Sequence, residues 1–332
     1  MDNKIGNEII VSIVVPIRNE EQYIEKCIQS ILSQDYSLEK IEVIFVDGLS
    51  QDKTQEIVNG YVEKYSNTIR LIENPQKTVP YAMNIGIGNS IGKYIVRLDA
   101  HSEYSNDYIS KCISTLEKID ADNVGGLAIT KGRGIVGKVF AQVLASKFGV
   151  GNSGFRTNAK SGYVDTVPFG AFKRESFQKY GLYDVRLNRN QDYELNYRIR
   201  KSGGLVYLNS DISLTYYCRN TIEGILKQSY ENGKWNVITA KLCPGSMSIR
   251  HFIPFLFVLS LIIMPILSSF LLIFGWLFAL ELGLYILFDL VYSLKGSSKI
   301  SYAPMLFVFF PVFHLSYGIG SLIGLIRKIK TA

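Results

Sequence analysis

The sequence predicts an α/β fold: a mostly parallel sheet with helices on both faces, followed by transmembrane helices at the C-terminal end. Three observations carry that expectation. Short β-branched apolar runs alternate with stretches of helical periodicity over roughly the first hundred residues. Two of those runs end in an acidic residue, Asp47 and Asp99. From Phe252 to Ile326 the 332-residue chain is almost wholly apolar, with Glu281, Asp289, Lys295 and Lys299 as its acidic and basic residues and one histidine. Ligands of such sheets bind beyond the carboxyl ends of the strands, so Asp47 and Asp99 are expected to face one crevice.

Ile9–Pro16 (IIVSIVVP) reads as a buried strand ended by Pro16, with Arg18, Asn19 and Glu20 in the loop after it. The spacing of Ile24, Cys27, Ile28, Ile31 and Leu32 predicts a helix over Tyr23–Leu32. Ile41–Val46 is a second strand. It runs into Asp47-Gly48-Leu49-Ser50-Gln51-Asp52, where Asp52 suits a cap for a helix with Ile57, Val58, Tyr61 and Val62 on one face. Ile69–Ile72 is a third strand, Val79–Ser90 a helix and Tyr94–Leu98 a fourth strand. A dinucleotide-binding domain would need a glycine-rich turn after the first strand. That turn here reads Pro-Ile-Arg-Asn-Glu, which argues against it.

The second half of this region is less regular. Val124–Thr130 reads as a strand and Val136–Lys147 as a helix. Gly149–Gly162 (GVGNSGFRTNAKSG) has the composition of a mobile loop, and Val164–Phe172 leads into another helix. Asn190–Ser202 predicts a helix with acidic residues in its first turn, basic ones in its last and Gly203 to stop it. Glu194 is placed for an ion pair with Arg198 four residues on. Leu205–Leu208 and Ile212–Tyr217 read as strands, and Thr221–Ala240 as an amphipathic helix leading to the apolar region.

That composition shift divides the chain into residues 1–245 and a membrane region, 246–332, with hydrophobic segments at about 252–272, 273–294 and 302–326, each near the roughly 20 residues a crossing needs. The opening MDNKIGNEII lacks the basic start and apolar run of a secretory leader, so the N-terminal domain is expected on the cytoplasmic side. Lys241 and Arg250 before the first segment, and Lys295 and Lys299 after the second, suit two crossings under the positive-inside rule. A full third crossing would place Arg327, Lys328 and Lys330 outside; Pro304 and Pro311 would allow Tyr302–Ile326 to be re-entrant or interfacial instead. Cys27, Cys112, Cys218 and Cys243 lack metal-ligand spacing and are expected to be reduced and inert. The net charge of +7 shows no single basic face, which favours anionic lipid headgroups or phosphorylated substrates over nucleic acid.

The stretch Tyr94–Tyr104, YIVRLDAHSEY, carries the most chemistry. Asp99 and His101, two apart just past a strand end, can point a carboxylate and an imidazole at one point, a pair that suits Mg2+ or Mn2+ with ligand phosphates completing the shell. A solvated strand-to-loop turn is the competing reading of those two residues alone.

Eight blocks in order carry a resemblance: SIVVPIRNE, FVDGLSQDKT, NPQKTVPYAMNIGI, VRLDAH, GVGNSGF, VDTVPFGAF, RNQDYELNYRIRKSGG and QSYENGKW. Through them, from about Ser12 to Trp235, the chain resembles family 2 glycosyltransferases of the GT-A fold, and within them the membrane-anchored exopolysaccharide enzymes of the succinoglycan type. The resemblance implies a nucleotide-diphosphate-sugar donor, usually a UDP-sugar, and a lipid-linked, polyprenyl-phosphate type acceptor. It matches Pro16 and Glu20 to the loop that cups the nucleoside, Asp47 to the carboxylate that reads the base, and Lys77 and Asn84 to the nucleotide pocket. Asp99 and His101 match the first and third positions of an Asp-x-Asp metal motif, Asp192 the catalytic base, and Gln228 and Trp235 an acceptor-side Gln-x-x-Arg-Trp element.

Two positions depart from the family pattern. Gly48 stands where many members carry a second Asp, and His101 where the metal motif usually ends in Asp. The wider Gln228–Trp235 spacing implies addition of single sugars. A processive polysaccharide synthase is the alternative within enzymes, and a non-catalytic nucleotide-sugar-binding scaffold the alternative outside them. Trp235 also suits an interfacial anchor before the first span.

Overall fold

A computed structural model describes residues 8–327. Lys328 and Lys330, which enter the topology argument, lie outside the described residues. In chain order the elements are β1 (Val11–Ile17), α1 (Ile24–Leu32), β2 (Ile41–Asp47), α2 (Thr54–Lys64), β3 (Ile69–Glu73), α3 (Val79–Gly88), β4 (Tyr94–Arg97), β5 (Ser102–Tyr104), α4 (Tyr108–Ile119) and β6 (Asn123–Lys131). There follow α5 (Gly134–Ala145), α6 (Lys147–Val150), β7 (Gly162–Tyr163), β8 (Ala171–Lys173), α7 (Arg174–Tyr180), α8 (Gln191–Lys201) and β9 (Val206–Tyr217). The chain closes with α9 (Ile222–Leu242), α10 (Ile253–Ser268), α11 (Leu272–Gly296) and α12 (Ala303–Ile326).

The residues form two compact units. The first runs to Ile129 and resumes over Asn158–Tyr216; the second takes in Thr130–Thr157 and the chain from Tyr217 on. This grouping follows contacts, whereas the division at 245/246 follows composition.

The first unit is built on a mixed sheet of order β3-β2-β1-β4-β8-β6-β9-β5, with β7 paired to β9. β1, β2, β3 and β4 are mutually parallel where they pair, as the β–α alternation predicts; β8 then runs antiparallel to both β4 and β6. The register fixes the functional edge. Ile17 lies level with Asp47, and Asp47 with Glu73. Leu98 still donates to Val14 O, at 3.1 Å, so Asp99 emerges at that same edge. Val11, Ile13, Val14, Val15 and the whole of β2 are buried, and the helical positions Ile24, Cys27, Ile28 and Ile31 pack into the same core. At roughly 25 cal/mol per Å² of apolar surface, such double-faced burial is the main source of stability here.

Several elements differ from expectation in detail. Leu205–Leu208 and Ile212–Tyr217 are one strand, β9, because the polar Asn209-Ser210-Asp211 between them continues as strand. Ser102–Tyr104 adds a short strand on β9 that three residues give too little periodicity to reveal. The Gly149–Gly162 stretch overlaps α6, and the N–H groups of Arg156 and Thr157 turn back onto Ser153 O. All four cysteines are free, and burial pushes the Cys27 and Cys112 thiols up and Cys218 to about 11.

In the second unit, α10, α11 and α12, the first and last counted with the turns before them, are each long and apolar enough to cross a membrane. α10 and α11 pair side by side: Phe257 stacks on Tyr285 at 4.4 Å and Ser260 donates to Glu281 at 2.6 Å. α12 packs on α9, α5 and α6 as well as on this pair. His314 Nε2 lies 2.9 Å from Phe148 O and must donate there, so its Nδ1 accepts the Tyr285 hydroxyl, also at 2.9 Å.

Candidate active site

The loops after β1, β2 and β3 interlock. Asn19 N–H donates to Ser50 Oγ at 2.9 Å, and Asn19 Oδ1 accepts from Gln51 N–H at 2.8 Å. Glu20 N–H donates to Thr54 Oγ1 at 2.7 Å. Asp47 is buried, and its carboxylate accepts from Ser50 N–H at 3.0 Å and from Ser50 Oγ and Gln55 Nε2, each at 2.5 Å. Gln55 is a partner the sequence did not suggest, because it lies eight residues on, in the first turn of α2. Asp52 acts as the expected cap: Oδ1 accepts from Thr54 N–H at 3.0 Å and Oδ2 from Glu21 N–H at 3.2 Å. Its carboxyl sits below its ordinary range; the bonds from Thr54 outweigh the desolvation that raises it.

Gly48 is closely approached by the neighbouring loops. A Cβ there would stand 3.1 Å from Arg18 Cδ and 3.4 Å from Lys77 Cα. Asn19, Leu49 and Lys77, in the three interlocked loops, all adopt left-handed backbone with φ between 56° and 62°. Such positions cost roughly 1–3 kcal/mol each and concentrate where a surface must hold a ligand. Pro16 is half-buried in β1 and the Lys77 side chain is exposed.

Beyond β4 the chain turns sharply. Asp99 N–H donates to the Tyr104 hydroxyl at 2.7 Å, and that hydroxyl donates to Asp99 O at 3.2 Å. Buried Tyr104 thus clips the Asp99-Ala100-His101 loop from beneath. His101 is half-buried, with Nδ1 3.6 Å from Glu20 Oε1 and its ring edge-on to Tyr216 at 5.3 Å. This brings the β1 and β4 loops together at the imidazole.

The residue that organises this half of the site is Arg97, which carried no role in the sequence reading. It is buried at the end of β4, paired with Asp192 through Nη1 and with Asp99 through Nη2 at 3.2 Å, its guanidinium 6.0 Å from the Phe169 ring centre. A charged side chain in an otherwise apolar buried strand was the available signal. Arg97 joins the two residues assigned separately to metal and base. Among the described residues, Arg97 Nε and Gln191 Oε1 are buried without a hydrogen-bond partner.

Asp192 sits in the first turn of α8. A helix N-terminus favours an ionised carboxylate, yet burial pushes this one above its ordinary range, with Arg97 pulling it down and the Asp99 charge adding to the rise. Glu194 does not share the site. It is buried in an ion pair with Arg198 at 2.5 Å, the structural alternative the sequence left open. Asn84 is engaged on both sides by Tyr183, donating to its carbonyl at 2.9 Å and accepting from its N–H at 3.0 Å. It positions the segment before α8.

Gln228 and Trp235 lie on α9 in the second unit. Trp235 Nε1 donates to Glu231 at 3.1 Å, and Gln228 Oε1 is buried and unpartnered among the described residues. No group of three His, Cys, Asp or Glu side chains poised for a metal exists among the described residues. Asp99 and His101 could offer a divalent cation one carboxylate and one imidazole from the clipped loop, with oxygens of a bound phosphate ligand needed to complete the set.

Residues 12–181 match the family described as Glycosyl transferase family 2. A Methanococcus voltae protein, "Dolichyl N-acetyl-alpha-D-glucosaminyl phosphate 3-beta-D-2,3-diacetamido-2,3-dideoxy-beta-D-glucuronosyltransferase", is 28% identical over 97% of this chain and 98% of its own. The succinoglycan biosynthesis protein ExoA of Rhizobium meliloti is 27% identical over 93% and 92%. The fold is similar to that of the Pyrobaculum calidifontis mannosyltransferase PcManGT, solved with GDP-Man and Mn2+, with a TM-score of 0.60 at 17% identity over 95% of this chain and 86% of that one. GalNAc-T7, solved with UDP, GalNAc and Mn2+, gives 0.51 at 18% identity over 65% and 44%.

Proposed function

The chain belongs to glycosyl transferase family 2, and from that premise we propose that it is an inverting, metal-dependent enzyme moving one sugar from a UDP-sugar to a lipid-linked glycan acceptor. The observation that carries the reading is Arg97 holding Asp192 and Asp99 together, because inverting transfer needs a base and a leaving-group site on opposite sides of one anomeric carbon. Asp192 takes the proton of the acceptor hydroxyl as general base. The freed oxygen attacks the anomeric carbon, and the bond to the diphosphate breaks on the opposite face, releasing the nucleoside diphosphate. Burial leaves Asp192 more basic than an exposed carboxylate, which suits this role. Asp99 and His101 would hold Mn2+ or Mg2+, which supplies charge stabilisation of the departing diphosphate. The Mn2+ in the similar structures supports this.

Pro16, Glu20, Asp47 and Lys77 are assigned to the nucleotide side, Asn84 to its support, and Gln228 and Trp235 to the acceptor side. A polyprenyl-phosphate acceptor accounts for an enzyme anchored in a membrane on its cytoplasmic face, in a multi-pass arrangement. The names of the Methanococcus and Rhizobium relatives support a lipid-linked or exopolysaccharide glycan.

The test is transfer in isolated membranes. Labelled UDP-glucose, UDP-galactose and related donors are offered with Mn2+, Mg2+ or chelator, and label is counted in the lipid extract, with Asp192→Asn and Asp99→Ala beside wild type. Lipid label that chelator and both substitutions abolish is the expected result. Donor binding without transfer, unchanged by Asp192→Asn with native lipids present, would support a scaffold instead.

A further inference from the structure

Length and apolarity make α12 equal to α10 and α11 as a spanning candidate: 24 residues at 1.5 Å each reach across a bilayer core of roughly 30 Å. Its neighbours separate it from them. Within the candidate spans, 6% of residues are buried in the first and in the second, but 39% in the third. Phe140 of α5 and Phe148 of α6 pack on Phe313 and Phe310 in the middle of α12; its second half is covered by α9, a helix with Glu223, Lys227, Glu231, Lys234 and Lys241 in its 21 residues.

The contact is backbone to backbone. A Cβ on Gly233 would overlap Tyr317 O, one on Gly320 would overlap Tyr230 O, and one on Gly324 would stand 2.5 Å from Lys234 O. Ser229 Oγ donates to Phe313 O at 2.6 Å, and Ser316 Oγ to Leu226 O at 2.9 Å. Lys241 Nζ reaches the last carbonyls of α12, Gly324 O at 3.1 Å and Leu325 O. The two helices thus run parallel, side by side, over the second half of α12. If α12 crossed the bilayer, exposed Lys227 would stand beside Ser316, at mid-membrane, where no water solvates it.

α12 also meets the α10–α11 pair at one level. Gly318 abuts Pro254 and Val258 of α10, while His314 bonds Tyr285 of α11, which stacks on Phe257. In four residues α12 passes from one helix of the pair to the other without descending it. On one side of that level α11 is still covered, at Asp289 and Ser293; on the other the pair is exposed, through Ile262, Ile266, Phe270, Leu272, Trp276 and Leu280. The face of α12 turned away from α9 is an apolar stripe: Pro304, Val308, Leu315, Ile319 and Ile326 are exposed or half-exposed at helical spacing.

We infer that α12 does not cross the membrane: it lies in the bilayer interface, its stripe toward the acyl chains and α9 on its watery side, and both of its ends are on one face. This rests on the membrane-anchored reading and adds that α10 and α11 alone enter the bilayer. It also places α9, with Gln228 and Trp235, at headgroup level, where the phosphate of a lipid-linked acceptor lies.

The experiment uses the full chain with its four cysteines replaced by serine, carrying Ser298→Cys or Arg327→Cys, in right-side-out vesicles treated with a membrane-impermeant maleimide before and after permeabilisation. Both positions are expected to be labelled only after permeabilisation. Labelling of one from outside and not the other would overturn the inference. Labelling of both from outside would keep α12 interfacial and instead overturn the cytoplasmic placement of the enzyme. A second arm puts a fluorophore on Leu315→Cys, near the middle of α12, in vesicles with quenchers at shallow or deep acyl positions. Stronger quenching by the shallow probe is expected. Stronger quenching by the deep probe, or none from either because a second copy covers the stripe, would overturn it.

Discussion

At the scale of single residues, the site turns on one guanidinium shared by two carboxylates. Asp192→Asn keeps an acceptor for Arg97 and is expected to lower kcat by about 10²–10⁴-fold, the usual worth of a general base, with the thermal transition unchanged. The sign of the shift makes these separable. A carboxyl whose pKa is raised on folding contributes stability that is full below its unfolded value and lost as pH rises through its folded value, so its charge adds no stability of its own at neutral pH, and Arg97 keeps Asp99 as a partner in the variant. The same shift predicts that kcat falls on acidification with a midpoint above the ordinary carboxylate range, read from a pH–rate profile. Arg97→Gln takes away the cation that favours ionised Asp192, so the midpoint should move to higher pH; Arg97→Lys should lie between the two. An unmoved midpoint in Arg97→Gln would mean that Asp192 is not the titrating base.

At the scale of elements, the short loop after β4 and the α9–α12 pair make opposite demands on side-chain size. Tyr104→Phe deletes a hydroxyl that serves Asp99 twice and leaves Asp99 N–H unpaired beneath the loop. It should cost about 1–3 kcal/mol and weaken Mn2+-dependent activity more than donor binding, measured by denaturant unfolding and by the metal titration of the rate. Gly320→Leu forces a side chain into the carbonyl of Tyr230, so α9 and α12 must part. An overpacking cost of about 1–3 kcal/mol is expected, seen as a lower Tm of the detergent-solubilised protein. Leucine at Ile319, an exposed neighbour on the stripe, should leave Tm unchanged.

For the whole molecule, the proposed membrane anchor is the apolar pair α10–α11. Its exposed face holds Ile262, Phe270, Leu272, Trp276 and Leu280 without a protein partner to cover them, and at roughly 25 cal/mol per Å² that surface is stable only in lipid or detergent. The full chain should therefore stay in the membrane pellet after washing at high salt and at alkaline pH, and leave it only with detergent, as followed by immunoblot. Release by salt alone would show that charge, rather than these helices, holds it.

The β–α alternation, the burial of β1 and β2, the carboxyl-end placement of Asp47 and Asp99 and the three apolar segments were legible in the sequence. Each is a matter of periodicity or run length, which neighbouring residues carry by themselves. Asp52 as a cap and the open choice at Glu194 were legible for the same reason, since their partners lie two and four residues away. What joined Arg97 to Asp192, ninety-five positions on, or Asn84 to Tyr183, was not. Nor was the seat of α12 on α9, because an apolar helix reads alike whether it crosses a bilayer or lies along it. Local spacing determines which segments are strands, helices and spans. Which charges meet, and which apolar face is left for lipid, depends on contacts between distant segments, and only the tertiary structure decided them.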